Sequence, residues 1–127
     1  MPIIETLQSY SPRTAEALTK AVVRAATQLG ITQSEFCSIV DMSTAQASRL
    51  WNQKYTLTPS NSSEWERAIL FFRIFRSLDS MVGNTEDAQT WLRGENRAFG
   101  ISPIERIKSI EGLVNVVNYL DASRGNV

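Results

Sequence analysis

The sequence predicts an all-α protein, on two observations. Signals that start and stop helices are frequent, and the alternating apolar and polar runs that strands need are absent. The chain has 127 residues, of which 43% are hydrophobic and 20% are charged. That length and composition suit one domain, or two small helical units that share a core.

The first predicted helix covers residues 13–29. Ser11 precedes Pro12, and a serine cap followed by proline at the first helical position is a typical helix start. Gly30 follows and predicts the end of the helix, because glycine readily adopts the left-handed conformation found there.

Two short helices are predicted next. Thr32 and Glu35 have the spacing of a capping box, which starts a helix that ends near Val40. Ser43 caps the following helix, which runs to about Asn52. The two helices are thus separated by a turn of three or four residues.

A polar segment that contains proline follows these helices. This segment, "KYTLTPSNSS" at residues 54–63, is typical of a connector between folded units. We therefore expect one domain in residues 1–60 and a second in residues 61–127.

The second half opens with a long predicted helix. Ser63 and Glu66 form a second capping box, and Gly83 ends the helix. Either Asn84 or Thr85 then caps a shorter helix whose first turn is acidic, as the helix dipole favours.

Two more helices are predicted after the loop "RGENRAFGI". Ser102 and Pro103, with Glu105 as a capping-box residue, start the first of them. The last helix contains "EGLVNVVNYLDAS" and is expected to end at Gly125.

Composition excludes several classes of function. Because the chain has no histidine and one cysteine, Cys37, it cannot form an internal disulfide, the usual zinc sites or a Cys–His nucleophile pair. We expect no cofactor and no metal, and an enzyme that works through carboxylates alone is the least favoured class. No apolar run reaches the length of a membrane span and the N-terminus lacks a signal-peptide pattern, so we expect a cytoplasmic protein without a membrane partner.

The charge balance limits how nucleic acid could be bound. Thirteen basic and thirteen acidic side chains give zero net charge, whereas nucleic-acid-binding proteins usually have a basic excess. Any affinity for DNA must come from a local patch, from dimerisation or from contacts to bases.

The two short helices have the geometry of a helix-turn-helix DNA-binding unit. The stretch "ITQSEFCSIVDMSTAQASRLWNQK" resembles the phage-repressor (Xre/Cro) type over its full length without a gap. Asp41 stands where that family favours glycine, but aspartate tolerates the left-handed conformation better than most residues. The matching positions are Gln33, Cys37, Ser43, Leu50 and Asn52.

The second helix of this unit presents one polar strip at helical spacing. Near its N-terminus, Thr44, Ala45 and Arg49 are candidates to contact base edges, since arginine paired with guanine is the commonest specific contact. Four further residues, Gln33, Gln46, Asn52 and Lys54, would bind phosphates and set the register. The alternative is an ordinary surface helix. The complete predicted DNA-binding set is Gln33, Ser43, Thr44, Ala45, Gln46, Arg49, Asn52 and Lys54.

The small number of phosphate contacts that one chain can make predicts a homodimer on double-stranded operator DNA. A neutral unit with three or four phosphate contacts gains little from counterion release, but two linked copies on a palindrome bind far better. Residues 64–82 are apolar nearly all round the helix, which suits one intramolecular neighbour and one partner chain. The alternative is a central core helix without a partner. The predicted dimer contacts are Phe71, Phe72, Phe75 and Leu78.

The stretch "WLRGENRAFGISPIERIKSIEGLVNVVNYL" is similar to the C-terminal toxin-binding domain of the Xre/MbcA/ParS antitoxin family. The resemblance covers residues 64–127, and it departs from the family at Glu95, where proline is common, and at Phe99, where leucine is common. The matching positions are Trp91, Leu92, Asn96, Phe99, Gly100, Pro103, Ile107, Gly112, Val116, Leu120 and Gly125.

Most of these residues also have a purely structural interpretation as the core and turns of a small helical bundle. Toxin contact is therefore expected at the exposed edge formed by the loop, the polar face of the last helix and the tail. The alternative for the tail is a frayed terminus without a binding role. The predicted toxin-binding residues are Arg93, Asn96, Arg97, Asn115, Asn118, Tyr119, Arg124, Gly125 and Val127.

The resemblance implies the antitoxin of a type II toxin–antitoxin pair. Such a protein would bind a RES-domain toxin, a type associated with NAD degradation or ADP-ribosyl transfer, and obstruct its nucleotide pocket. It would also bind its own operator as a dimeric autorepressor. The alternative function is a stand-alone phage-like repressor whose second half only dimerises.

Overall fold

The computed structural model describes residues 12–125, which form seven helices and no strand. No helix in that range is both long and apolar enough to cross a membrane. The helices are α1 (Pro12–Gln28), α2 (Gln33–Val40), α3 (Thr44–Trp51), α4 (Ser62–Val82), α5 (Thr85–Arg93), α6 (Pro103–Arg106) and α7 (Ile110–Gly125). The all-α prediction is confirmed.

The helix signals of the first half act as predicted. Gly30 has φ 69° after the end of α1, while the predicted cap Ser11 lies outside the described residues. Thr32 and Glu35 make both hydrogen bonds of the capping box at the start of α2. Asp41 takes the left-handed conformation (φ 60°, ψ 58°), and the Ser43 hydroxyl oxygen accepts a hydrogen bond from the backbone of α3.

The predicted capping box at the start of α4 is wrong. The helix begins at Ser62, and its N-cap is Asn61, whose side-chain oxygen accepts a hydrogen bond from the Glu64 backbone N–H. Ser63 and Glu66 therefore lie within the helix. The Tyr55 hydroxyl donates to Glu64 at 2.6 Å, so the connector holds this first turn through a buried carboxylate that the sequence pattern did not reveal.

The predicted start of α6 is correct only in part. Pro103 occupies the first helical position, but Ser102 makes no side-chain cap hydrogen bond, and α6 is a single turn. Glu105 pairs with Lys108 rather than with the cap. At the start of α7, a methyl group on Gly112 would collide with the Arg106 carbonyl, so only glycine allows this close approach of the backbone.

One continuous core joins the two halves of the chain, because α4 packs against α1, α2, α5 and α7. Phe71 on α4 meets Phe36 on α2 edge to face, with ring centroids 5.7 Å apart. Phe71 and Leu78 are 0% and 1% exposed, which corrects their prediction as dimer contacts: both are intramolecular core residues. Phe72 and Phe75 are partly exposed.

Candidate functional site

The outer face of α3 carries the predicted base-contacting residues, and all of them are exposed. Thr44, Ala45 and Arg49 point away from the core, while Ala47 and Leu50 on the opposite face are fully buried. This division follows from helical periodicity, because the buried pair is spaced i, i+3. Within residues 12–125, the polar face of α3 is therefore open to solvent.

The predicted phosphate-binding residues surround this face. Gln33 is exposed in the first turn of α2, and Asn52 and Lys54 are exposed after α3. Gln53 adopts φ 62°, which turns the chain out of the helix. Gln46 is half-buried on the side of Tyr55, so it is the predicted DNA contact with the least accessible side chain.

The structure adds three cations that the sequence analysis missed. Arg13, Lys20 and Arg24 lie on one face of α1, since their spacings are seven and four residues, and all three are exposed. Lys20 and Arg24 line a surface groove of about 680 Å³ whose opposite wall includes Trp51 and Gln53 at the end of α3. The spacing was readable in the sequence, but its position beside α3 was not.

At the other end of the chain, three aromatic rings form an exposed cluster, here called the aromatic cluster: Trp91, Phe99 and Tyr119. The ring centroids of Phe99 and Tyr119 are 5.0 Å apart, and those of Trp91 and Phe99 are 6.3 Å apart. Tyr119 is 38% exposed, and Ile101 beside the loop is 46% exposed. Clustered, partly exposed aromatic side chains are typical of protein-binding surfaces.

The outer face of α7 continues from Tyr119. Asn115 and Asn118 are exposed there with Val114, whereas the opposite face is buried against α4. The Arg106 guanidinium donates a hydrogen bond to the Asn115 side chain. Of the predicted toxin-binding residues, the structure brings Asn115, Asn118 and Tyr119 together on one surface.

The predicted toxin-binding residues of the loop and the tail differ from one another in exposure and contacts. The Asn96 side chain accepts a hydrogen bond from the Ala98 backbone, so it shapes the loop, as the structural alternative held. Arg97 is exposed. Arg124 pairs with Asp121 at the end of α7, Gly125 is the last residue of that helix, and Val127 lies outside the described residues.

Arg93, another predicted toxin contact, binds the helix-turn-helix unit of its own chain. Its guanidinium donates two hydrogen bonds of 2.8 Å to the two carboxylate oxygens of Glu35 and a third of 2.8 Å to the Gly30 carbonyl. The hydrogen bonds that Glu35 accepts, first from Arg93 and then from Thr32, lower its pKa from 4.5 to about 2. The Gln89 amide donates to the Gln28 carbonyl nearby. Arg93 therefore holds α5 against the helix-turn-helix unit.

Comparisons with known protein families match both parts of the chain. Residues 10–73 match the model of the antitoxin Xre-like helix-turn-helix domain, and residues 77–125 match the model of the antitoxin Xre/MbcA/ParS C-terminal toxin-binding domain. No curated protein matches the chain. Neither family description names a catalytic activity. Since the helix-turn-helix match alone spans half of the sequence and the toxin-binding match follows it, the chain belongs to the Xre/MbcA/ParS antitoxin family.

Proposed function

We propose that this antitoxin binds and occludes a RES-domain toxin and represses its own operon as an operator-bound homodimer. The observation that supports both roles is the presence, in one chain, of a helix-turn-helix match followed by a toxin-binding match. DNA and a protein partner then have separate surfaces, α3 and the exposed edge of α7. The division into residues 1–60 and 61–127 stays part of this proposal.

The aromatic cluster and the outer face of α7 are the proposed toxin-binding surface. Aromatic side chains provide large contact areas at a small cost in conformational entropy, and the neighbouring amides of Asn115 and Asn118 can set the orientation of the partner. Inhibition is occlusion: the toxin loses access to its nucleotide, and the antitoxin supplies no chemistry.

Of the four predicted dimer contacts, Phe72 and Phe75 remain in the proposal. Their rings stack with centroids 6.0 Å apart, and the Arg76 guanidinium lies 6.0 Å from the Phe72 ring. Both rings are partly exposed, as a contact with a second copy requires. Two copies of α3 on a palindromic operator, about one helical turn apart, would double the number of phosphate contacts.

The toxin role is tested by co-expression with the RES-domain protein encoded beside this chain. The expected result is restored growth of cells that produce the toxin, with co-purification of the two proteins. If no complex forms and growth is not restored, the chain is not the antitoxin of that toxin.

The operator role is tested with DNA from upstream of the gene. We expect specific binding by two chains per site, measured by fluorescence anisotropy, with the stoichiometry from sedimentation equilibrium. Operator binding without toxin binding would support the alternative, a stand-alone repressor whose second half only dimerises. Binding of equal strength to operator and random DNA would contradict both versions.

A further inference from the structure

We infer that Arg93, a residue of the toxin-binding domain, is a positioning residue for operator binding. In this inference Arg93 neutralises and fixes Glu35, which lies in the turn of α2 that is proposed to face a DNA phosphate. The inference rests on the proposed operator binding. It assigns to the second half of the chain a direct effect on the DNA affinity of the first.

Glu35 lies in the same first turn of α2 as Gln33, so its negative charge is near the proposed phosphate contact. It is the third residue of α2, two residues after Gln33, whose exposed side chain is the proposed phosphate contact. The N-terminal turn of a helix attracts anions through its free N–H groups, and a carboxylate in the same turn competes with a phosphate for that position.

The Glu35 carboxylate is also part of the helix cap. The Glu35 Oε1 atom accepts a hydrogen bond from the Thr32 backbone N–H at 3.0 Å, and the Glu35 backbone N–H donates to the Thr32 hydroxyl at 3.1 Å. These hydrogen bonds keep the charge in the first turn of α2.

Arg93 balances this charge from α5. It binds both oxygens of Glu35 in a bidentate pair, the arrangement in which arginine is most specific and least easily replaced by lysine. Its third hydrogen bond, to Gly30, fixes the guanidinium beside the loop between α1 and α2. The pair joins residues 58 positions apart in the sequence, across the two domains.

A set of three variants separates charge balance from simple domain docking. Arg93→Gln exposes the Glu35 charge, Glu35→Gln removes it, and the double variant removes both charges. Glutamine suits the third position of a capping box, so Glu35→Gln keeps the cap of α2. Arg73→Gln is the matched control, because it breaks an ion pair of the same 2.8 Å length between α4 and α7.

We expect Arg93→Gln to weaken operator binding about fivefold at about 0.05 M salt, and less than about twofold at about 0.3 M, because salt screens the exposed charge. The double variant should return to within about twofold of the wild type. Arg73→Gln should bind as the wild type. Anisotropy titrations on one operator duplex, with thermal unfolding of each variant, measure these effects.

Three results would overturn the inference. Arg93→Gln could bind the operator like the wild type, or its loss could be unchanged by salt, or the double variant could bind as weakly as Arg93→Gln. The last two would show that Arg93 acts only by docking the domains. A wild-type protein that does not bind the operator would instead contradict the proposed function itself.

Discussion

The two halves of the molecule treat their positive charges differently. In residues 12–60, no basic side chain forms an ion pair with a carboxylate of residues 12–125, whereas in residues 61–125 four basic residues do. The basic residues without such a pair are Arg13, Lys20, Arg24, Arg49 and Lys54, and the paired ones are Arg73, Arg93, Lys108 and Arg124. The first group is therefore available to an anionic partner in a chain of zero net charge, although Glu16 lines the same groove as Lys20 and Arg24.

The exposed surfaces of the two halves also differ in their chemistry. The face of α3 offers hydrogen-bonding and cationic side chains, which suit base edges and phosphates. The edge of α7 offers aromatic rings and amides, which suit a protein partner. One small core thus carries two chemically distinct exposed surfaces, each built on a different helix.

The strongest test of this comparison removes one residue from each surface. Arg49→Ala should reduce the preference for operator over random DNA about 10- to 100-fold, since a bidentate guanine contact contributes roughly 1–3 kcal/mol of discrimination. Tyr119→Ala should weaken toxin binding about 10-fold or more, as truncation of an aromatic anchor commonly does. Each variant is titrated against both partners.

If the two surfaces act independently, each variant leaves the affinity for the other partner unchanged. If Arg49→Ala weakened toxin binding as much as Tyr119→Ala does, the two surfaces would not be independent. Lys54→Ala serves as a second control, because loss of a phosphate contact should weaken operator and random DNA alike.

A smaller effect tests whether the unpaired cations meet the DNA backbone. The double variant Lys20→Gln/Arg24→Gln should reduce the slope of log affinity against log salt by about two per chain, because each lost phosphate contact contributes about one. The matched variant Lys108→Gln/Arg73→Gln removes two paired cations and should leave the slope unchanged. Equal slopes for the two double variants would show that the groove beside α3 lies away from DNA.

The smallest expected effect concerns the ion pair that joins the halves. The folded protein holds the pKa of Glu35 at about 2, below its ordinary 4.5, mainly through hydrogen bonds from Arg93. A lowered pKa stabilises the fold above pH 4.5, and this contribution is lost as the pH falls from there towards 2. Urea unfolding at several pH values should show that Glu35→Gln loses about 1 kcal/mol less than the wild type over this range, a modest figure because Arg93 is half-exposed and solvent screens the pair. A parallel loss in both proteins would contradict the lowered pKa.

Sequence reasoning succeeded where the physical cause was local. The capping box of Thr32 and Glu35, the left-handed Asp41 and the cap at Ser43 all depend on residues within three or four positions of each other. It failed at α4, where Asn61 competed successfully with Ser63 for the cap. The connector also binds this first turn through the hydrogen bond from Tyr55 to Glu64, which no capping pattern contains.

The predicted sites show the same limit. The exposed face of α3 follows from the spacing of buried residues, so its DNA-binding candidates could be named in advance. The predicted dimer contacts could not be sorted into buried and exposed residues in advance, because residues 64–82 are apolar on nearly every side. Only the packing of α4 showed that Phe71 and Leu78 are internal while Phe72 and Phe75 reach the surface.

Short-range signals in the sequence were enough to predict the helical class and most helix ends, because periodicity and capping act over one or two turns of a helix. The nature of the two domains followed from the family resemblance. The pairing of cations with carboxylates in residues 12–125, and the contacts that join the two parts of the chain, depend on the tertiary structure. Arg93 and Glu35 are 58 positions apart, and the short-range signals in the chain link neither residue to the other. They pair because the shared core brings α5 to the start of α2, so that a predicted toxin contact also joins the two parts of the chain.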